Sequence, residues 1–473
     1  MSVVQPASAR FLRDNLEVLG FGSAQSALVQ VVKELFENAL DAVQDAGMIV
    51  VRLTTDGDCI EVVCTDTGFG MHVNNIAQLC CGVFASTKTS ATFTAGKVGK
   101  FGTHVTQGVL GHAWAAIGVG LKAALLYSQQ HVDDARGGLK ITTTLDSHEV
   151  YFSKLLIDAD APADSTSIVQ SSQQFAISEE HQPFSGTEVR LHLPCPDSAS
   201  LADALSTLHA YFVALRYTIG SSLSVELVCD LPTPLHVLHP NSPMNPLDRL
   251  LHDHDCNYAD IAHVDMDFPG YHVNLVALLQ PTPAHGLRAH LYRYVNHVPL
   301  LPDASCTITA TVFGSGSWKR LGYRCTPAGS TACALHRTSD APATDDGGCE
   351  LVVAVDLSAT GGPVKYRSLT KTGVDECYAS GLRASFAAAL DRLRALAPAR
   401  FTPLAEQRSQ RVVAEYVPLI ATALVAIATA SDVAVDARHL APGGLLQDVA
   451  SAADLEARLA SKMRQVLAAS FEP

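Results

Sequence analysis

Val32-Lys33-Glu34-Leu35-Phe36-Glu37-Asn38-Ala39-Leu40-Asp41-Ala42 is the stretch on which the reading of the chain turns. Around it, from about Ala24 to Ala46, Val29, Val32, Leu35, Phe36, Ala39 and Leu40 recur at three- and four-residue spacing, which predicts a helix. Glu34 and Asn38 are four residues apart and share one face of that helix. A carboxylate there can orient a water as general base. An amide oxygen there can ligate Mg²⁺, a hard cation that takes oxygen ligands. Alone, such a pair is more often an exposed polar helix face.

Downstream, Ile49 to Thr54 and Ile60 to Thr65 read as strands around the turn Asp56-Gly57-Asp58. Directly after them comes Asp66-Thr67-Gly68-Phe69-Gly70-Met71. A carboxylate beside two glycines can accept from a purine amino group while the backbone approaches closely. An ordinary turn after a strand reads the same way. A third feature is Gly96-Lys97-Val98-Gly99-Lys100-Phe101-Gly102, with Gly118-Val119-Gly120-Leu121-Lys122 leading into a helix over Leu121 to Gln129. Glycine before a helix N-terminus leaves backbone N–H groups free to cradle phosphates.

Composition narrows the class. The chain has 473 residues, 48% hydrophobic and 17% charged, with 33 basic against 47 acidic residues and a net charge of −14. Two or three domains are expected at about 150 residues each. The balance excludes a disordered chain and a polybasic DNA binder, because the phosphate term needs clustered Lys and Arg. Twelve cysteines without a CxxC pair read as reduced thiols of an intracellular protein. Tyr416 to Ala430 is too short an apolar run to span a bilayer, and no signal peptide is expected at the N-terminus.

Further strands are expected at Thr187 to Leu193, Leu223 to Val228, Tyr271 to Leu279, Leu291 to Tyr294, Cys306 to Phe313 and Glu350 to Leu357. Five prolines between Pro232 and Pro246 mark a boundary. Cys325 to Gly348 reads as a surface loop. A helix is expected from near Asp375 to Ala397, and helices from Pro403 to the end, broken at Pro442-Gly443-Gly444. His252-Asp253-His254-Asp255-Cys256 holds metal-ligand types without a second ligand set, which favours a surface loop.

The order and spacing of the three features resemble the Bergerat-type ATP fold of gyrase B subunits, MutL proteins, ninety-kilodalton chaperones and sensor histidine kinases. The flanks resemble topoisomerase VI B subunits and their meiotic B-like relatives. Ala9 to Phe21 looks like the N-terminal strap of that family, and Leu28-Val29-Gln30 is similar to its approach to the helix. Arg293 to Leu301 and Trp318 to Tyr323 are similar to transducer signatures. Pro363-Val364-Lys365-Tyr366-Arg367-Ser368-Leu369-Thr370-Lys371 looks like the loop that carries the switch lysine.

The resemblance implies an α/β protein, an α+β sandwich: an ATPase domain at 1–231, a reduced linker at 232–261 in place of a helix–two-turn–helix module, a transducer at 262–400 and a helical tail at 401–473. It implies ATP and Mg²⁺ as ligands. Glu34 would be the general base, Lys371 the γ-phosphate sensor and Asn38 the Mg²⁺ ligand. Asp66 would hold adenine, supported by Gly68, Gly70, Met71 and Thr187. Asp41, Lys100, Gly102, Gly120, Leu121 and Lys122 would complete the nucleotide site. The partners implied are a second copy through the strap, a tyrosine-bearing A-type subunit or meiotic transesterase docking on the tail, and DNA in the assembly. No membrane is implied, and the nucleus only in a eukaryote.

Two departures are visible. The 232–261 interval is too short for the family's module. Residues 103–118 interrupt the phosphate loop, either as a lid insertion or as sequence foreign to the mature protein. An ATP-hydrolysing topoisomerase component, a B-like interaction partner with little turnover, and another ATPase of this fold all remain open. The transducer signatures speak against the last.

Overall fold

The computed structural model describes residues 8–43, 46–81, 119–145, 147, 149–161, 168–176, 185–283, 285–338, 348–360, 364–368, 370–430 and 451–471. Lys100, Gly102, the 103–118 stretch and the expected helix break at Pro442-Gly443-Gly444 lie outside them. The chain divides into two compact units. One comprises Met1–Gly314, Cys325–Leu335 and Asp346–Leu396; the other comprises Ser315–Arg324, His336–Asp345 and Ala397–Pro473.

The first unit opens with α1 (Ser8–Asp14), whose Leu12 is buried and whose Arg13 donates to both Asp160 oxygens at 2.7 and 3.1 Å. The Val32 to Ala42 stretch lies on α2 (Ala24–Val43). Its apolar positions Leu28, Val32, Leu35, Phe36, Ala39 and Leu40 are buried, as the helical period demands. Behind α2 runs an eight-stranded sheet in the order β5-β4-β3-β6-β2-β1-β7-β8. Its strands are β1 (Ala46–Asp56), β2 (Cys59–Asp66), β3 (Leu139–Thr144), β4 (Glu149–Ile157), β5 (Ile168–Ala176), β6 (Thr187–Pro194), β7 (Ser222–Asp230) and β8 (Leu235–His239). β1 and β2 pair antiparallel around the expected turn, with Asp56 opposite Cys59 and Ile49 opposite Asp66. The sheet continues past Pro232, because β8 pairs antiparallel with β7.

Between the strands lie α3 (Ile76–Cys81), α4 (Val119–His131) and α5 (Ser198–Leu215). Ala123, Ala124 and Leu125 of α4 are completely buried, and Ser128 Oγ donates to His192 O at 2.7 Å. Asp197 caps α5 by accepting from the Ala199 and Ser200 N–H groups. The interval after β8 holds only the short α6 (Pro246–Asp253) and one 3₁₀ turn.

A second sheet follows in the order β13-β14-β11-β15-β10-β9, with β12 beside β11. It is built from β9 (Ile261–Phe268), β10 (Tyr271–Pro281), β11 (Leu287–Val295), β12 (Val298–Pro299), β13 (Tyr323–Pro327), β14 (Ala332–Arg337) and β15 (Cys349–Ala359). β11 and β15 run parallel, and the rest of the described register is antiparallel. Helix α7 (Thr307–Val312) packs under this sheet, while α9 (Ala379–Leu396) covers β9 and β10.

Two expectations are corrected here. The β-branched run Cys306 to Phe313 is helical, as α7, not extended. Tertiary bonding holds the helix in place: Thr307 Oγ1 donates to Val374 O at 2.9 Å, while Thr311 Oγ1 only turns back on Thr307 O at 2.8 Å. Buried Arg293 also donates to Thr309 Oγ1 at 3.0 Å. The expected loop Cys325 to Gly348 contains most of β13 and all of β14. Cys333 and Leu335 alternate inward there, and Ala328 N bonds Ala332 O at 2.8 Å across a turn with Gly329 at φ 86°.

In the second unit, α8 (Ser315–Arg320) carries Trp318, which is fully buried edge-on to Tyr323. The short α10 (Pro398–Phe401) precedes α11 (Leu404–Ala430), which pairs with α12 (Ala452–Phe471) around Val417, Ala421 and Ala460. Among the described residues no helix is long and apolar enough to cross a membrane. All twelve cysteines are free thiols.

Candidate functional site

The site lies along the second half of α2 and at the adjacent strand ends. Glu34 is half-buried and Asn38 exposed, so the face carrying them opens outward while Val32, Lys33, Leu35, Phe36, Glu37, Ala39 and Leu40 around them are buried. Gln30, one turn earlier and almost wholly buried, donates its amide to Glu34 Oε1 at 2.9 Å. Opposite Glu34 stands the first turn of α4. A Cβ on Gly120 would fall inside the Glu34 carboxyl group. Glycine is therefore required by close approach, and the helix N-terminus faces the carboxylate.

Asp66 ends β2, opposite Thr187 at the start of β6. It is buried, and Gly68 N donates to its Oδ1 at 2.8 Å. Burial pushes its carboxyl up to about 6, against the lowering effect of the Gly68 and Thr187 backbone donors. The turn beyond is held by a hydroxyl cluster. Thr143 Oγ1 lies 3.0 Å from Thr187 Oγ1 and accepts from Met71 N at 2.9 Å. Gly70 has φ 66°, and a Cβ there would overlap the Thr144 carbonyl. Met71 is half-buried, with Cys80 Sγ 3.9 Å from its sulfur.

The remaining expected residues distribute as follows. Asp41 is half-buried one turn beyond Glu37. Leu121 and Lys122 are buried in α4, and Lys122 lies within electrostatic reach of the Cys80 and Cys81 thiols. Lys371 is half-buried at φ 54°, and its N–H bonds Ser368 O at 3.2 Å. Its loop is closed at the base by a bridge between Tyr366 and Val374. Neighbouring Thr370 reaches the Gly20 turn: a Cβ on Gly20 would lie 3.0 Å from Thr370 Cγ2.

The structure thus brings together Glu34 with Gly120, and Asp66 with Gly68, Gly70, Met71 and Thr187. Sequence reasoning missed Gln30 and Thr143. The four-residue spacing of Gln30 and Glu34 was a usable signal; nothing local marked Thr143. The His252 to Cys256 motif is not a metal site, since Asp253 pairs with Arg216 and His254 Nδ1 meets Gln280 Oε1 at 2.9 Å. Among the described residues no cluster suits a metal held by His, Cys, Asp and Glu alone. An exposed amide oxygen at Asn38 is nonetheless the donor type that Mg²⁺ takes when substrate phosphates complete its shell.

Residues 23–197 match the family described as Histidine kinase-, DNA gyrase B-, and HSP90-like ATPase. The B subunit of type 2 DNA topoisomerase 6 from Natronomonas pharaonis is 33% identical over 156 residues, 32% of this chain and 17% of that protein. Its namesake from Saccharolobus islandicus is 29% identical over 193 residues, 39% of this chain and 31% of that protein. The matched stretches therefore span under a third of these relatives' length. Among solved structures, the N-terminal domain of a DNA repair protein aligns with TM-score 0.42 at 13% identity, over 82% of this chain and 98% of that one. The DNA gyrase B protein of Myxococcus xanthus aligns with TM-score 0.38 at 15% identity, over 78% and 90%. Residues 23–197 thus carry the ATPase domain of that family, and over part of its length the chain is similar to topoisomerase VI B subunits.

Proposed function

We propose that the chain binds and hydrolyses ATP as the B-type component of a topoisomerase VI-like assembly. The observation that carries the reading is half-buried Glu34 standing against the glycine start of α4, with exposed Asn38 one turn further along α2 and the desolvated Asp66 at the end of β2. Asp66 would accept from the purine amino group, with Gly68 and Gly70 allowing close backbone approach. Asn38 would offer its amide oxygen to Mg²⁺, which when bound neutralises phosphate charge. Glu34, restrained by Gln30, would take the proton of the attacking water. Lys371 would respond to the γ-phosphate, which explains a cation at the tip of a loop that bears on the N-terminal turn. Two copies would dimerise through the strap. An A-type subunit, which would do the DNA cleavage, would dock on α11, where Val412, Tyr416 and Leu419 expose an apolar stripe at helical spacing.

The test is ATP turnover by the purified chain. Glu34→Ala is expected to lower it by roughly 10²- to 10⁴-fold while leaving ATP binding intact. Equal turnover in the variant removes the base assignment. ATP-dependent relaxation or decatenation with an A-type subunit tests the assembly. One observation favours a second reading, an interaction partner with little turnover. The interval before the second sheet holds just the eight-residue α6 and one 3₁₀ turn, too little for a helix–two-turn–helix module.

A further inference from the structure

We propose that Gln30 is the positioning residue for Glu34, and that the Gly20 turn holds it in register with the loop that carries Lys371. The proposal rests on the ATPase reading above.

Gln30 is almost wholly buried, so its amide donor needs a partner, and it finds Glu34 Oε1 at 2.9 Å. The second carboxylate oxygen is the one that faces Gly120. One oxygen is thereby pinned and the other directed at the α4 start. A carboxyl group on an open helix face otherwise rotates freely, and a general base works only from a fixed position.

Gln30 is itself covered from one side. Gly20, at φ 93°, closes the turn after α1 with its N–H on Glu17 O at 3.0 Å. The direction a side chain would take from Gly20 points to Thr370 Cγ2 at 3.0 Å and to Gln30 Cγ and Oε1 at 3.7 Å. The bare backbone of Gly20 therefore lies against both. A displacement of the Thr370 loop moves the turn that covers Gln30, and so the orientation of Glu34. This route acts on the base and does not run through the nucleotide.

The experiment is steady-state ATP turnover by the full chain carrying Gln30→Met, alone and combined with Glu34→Ala. The single variant is expected to lose about 10- to 100-fold in kcat with KM for ATP little changed. In the Glu34→Ala background it should cost nothing further, because its effect passes through Glu34. Gln30→Glu keeps the shape, replaces the donor by an acceptor, and should lose at least as much; it serves if the methionine variant melts early. Unchanged kcat, a loss confined to KM, or an equal additional loss on top of Glu34→Ala overturns the positioning role. Wild-type protein that turns over no ATP, or does so at the same rate in Glu34→Ala, overturns the ATPase reading instead.

Discussion

Lys33 Nζ lies 3.0 Å from Glu37 Oε1, one turn apart on α2, and both side chains are out of water. Tyr211 completes the cluster by donating to Glu37 Oε1 at 3.3 Å. Burial lowers the lysine's affinity for its proton, but Glu37 and then Glu34 outweigh it, and the ammonium stays charged. The helix that presents Glu34 and Asn38 outward is thus anchored inward by an ion pair.

Removing one partner strands the other charge. Lys33→Met should lower unfolding free energy by about 3–5 kcal/mol, read from urea denaturation. Adding Glu37→Leu should recover most of that loss. A double variant as unstable as the single one would show that the pair's shape, not its charge, holds α2.

Asp66 titrates near 6 because it is desolvated. Adenine-nucleotide binding should therefore weaken as pH falls through about 6, since the protonated carboxyl loses its charge-assisted acceptor strength. The stability of the free protein should move oppositely. A carboxyl raised in the folded state contributes stability fully below its unfolded value and loses it as pH rises through its folded one. Calorimetric titration at several pH values checks this, and Asp66→Asn should flatten the profile.

Gly70 and Gly286 both have positive φ, 66° and 90°. A Cβ at Gly70 would overlap the Thr144 carbonyl, whereas one at Gly286 meets nothing within 4 Å. Gly286→Ala should cost only the left-handed strain, about 1–2 kcal/mol. Gly70→Ala should cost more and abolish nucleotide binding. Equal melting losses would mean that the Gly70 turn can shift without consequence.

His297 contacts Asp356 through Nδ1, and the carboxylate raises the imidazole above its ordinary value. Its stabilisation is present below about 6.5, the unfolded value, and is lost as pH rises through the raised folded value. His297→Gln should thus depress Tm more at pH 6 than at pH 9. An equal depression at both would assign the residue a packing role only.

How far the sequence was legible follows from where each signal lay. Helix α2 was readable because its buried positions repeat every three or four residues, and Asp66 because glycines follow it directly after a strand. Thr307 to Val312 was misread because β-branched residues favour strands in isolation. Tertiary bonds from Thr307 to Val374 O and from Arg293 to Thr309 hold it helical instead. The hairpin of β13 and β14 was hidden by a loop-like composition, although Cys333 and Leu335 alternate inward. The boundary at Pro232 fell where prolines cluster, yet β8 returns to pair with β7 beyond it.

By itself the sequence determined the ATPase-type helix and strand order and the face shared by Glu34 and Asn38, because these rest on short periodicities and local motifs. Only the tertiary structure decided that Gly120 stands against Glu34, that Thr143 clamps Met71 and Thr187, and that Thr370 meets the Gly20 turn over Gln30. Those contacts join residues far apart in the chain, and packing, not local pattern, selects which distant residues meet.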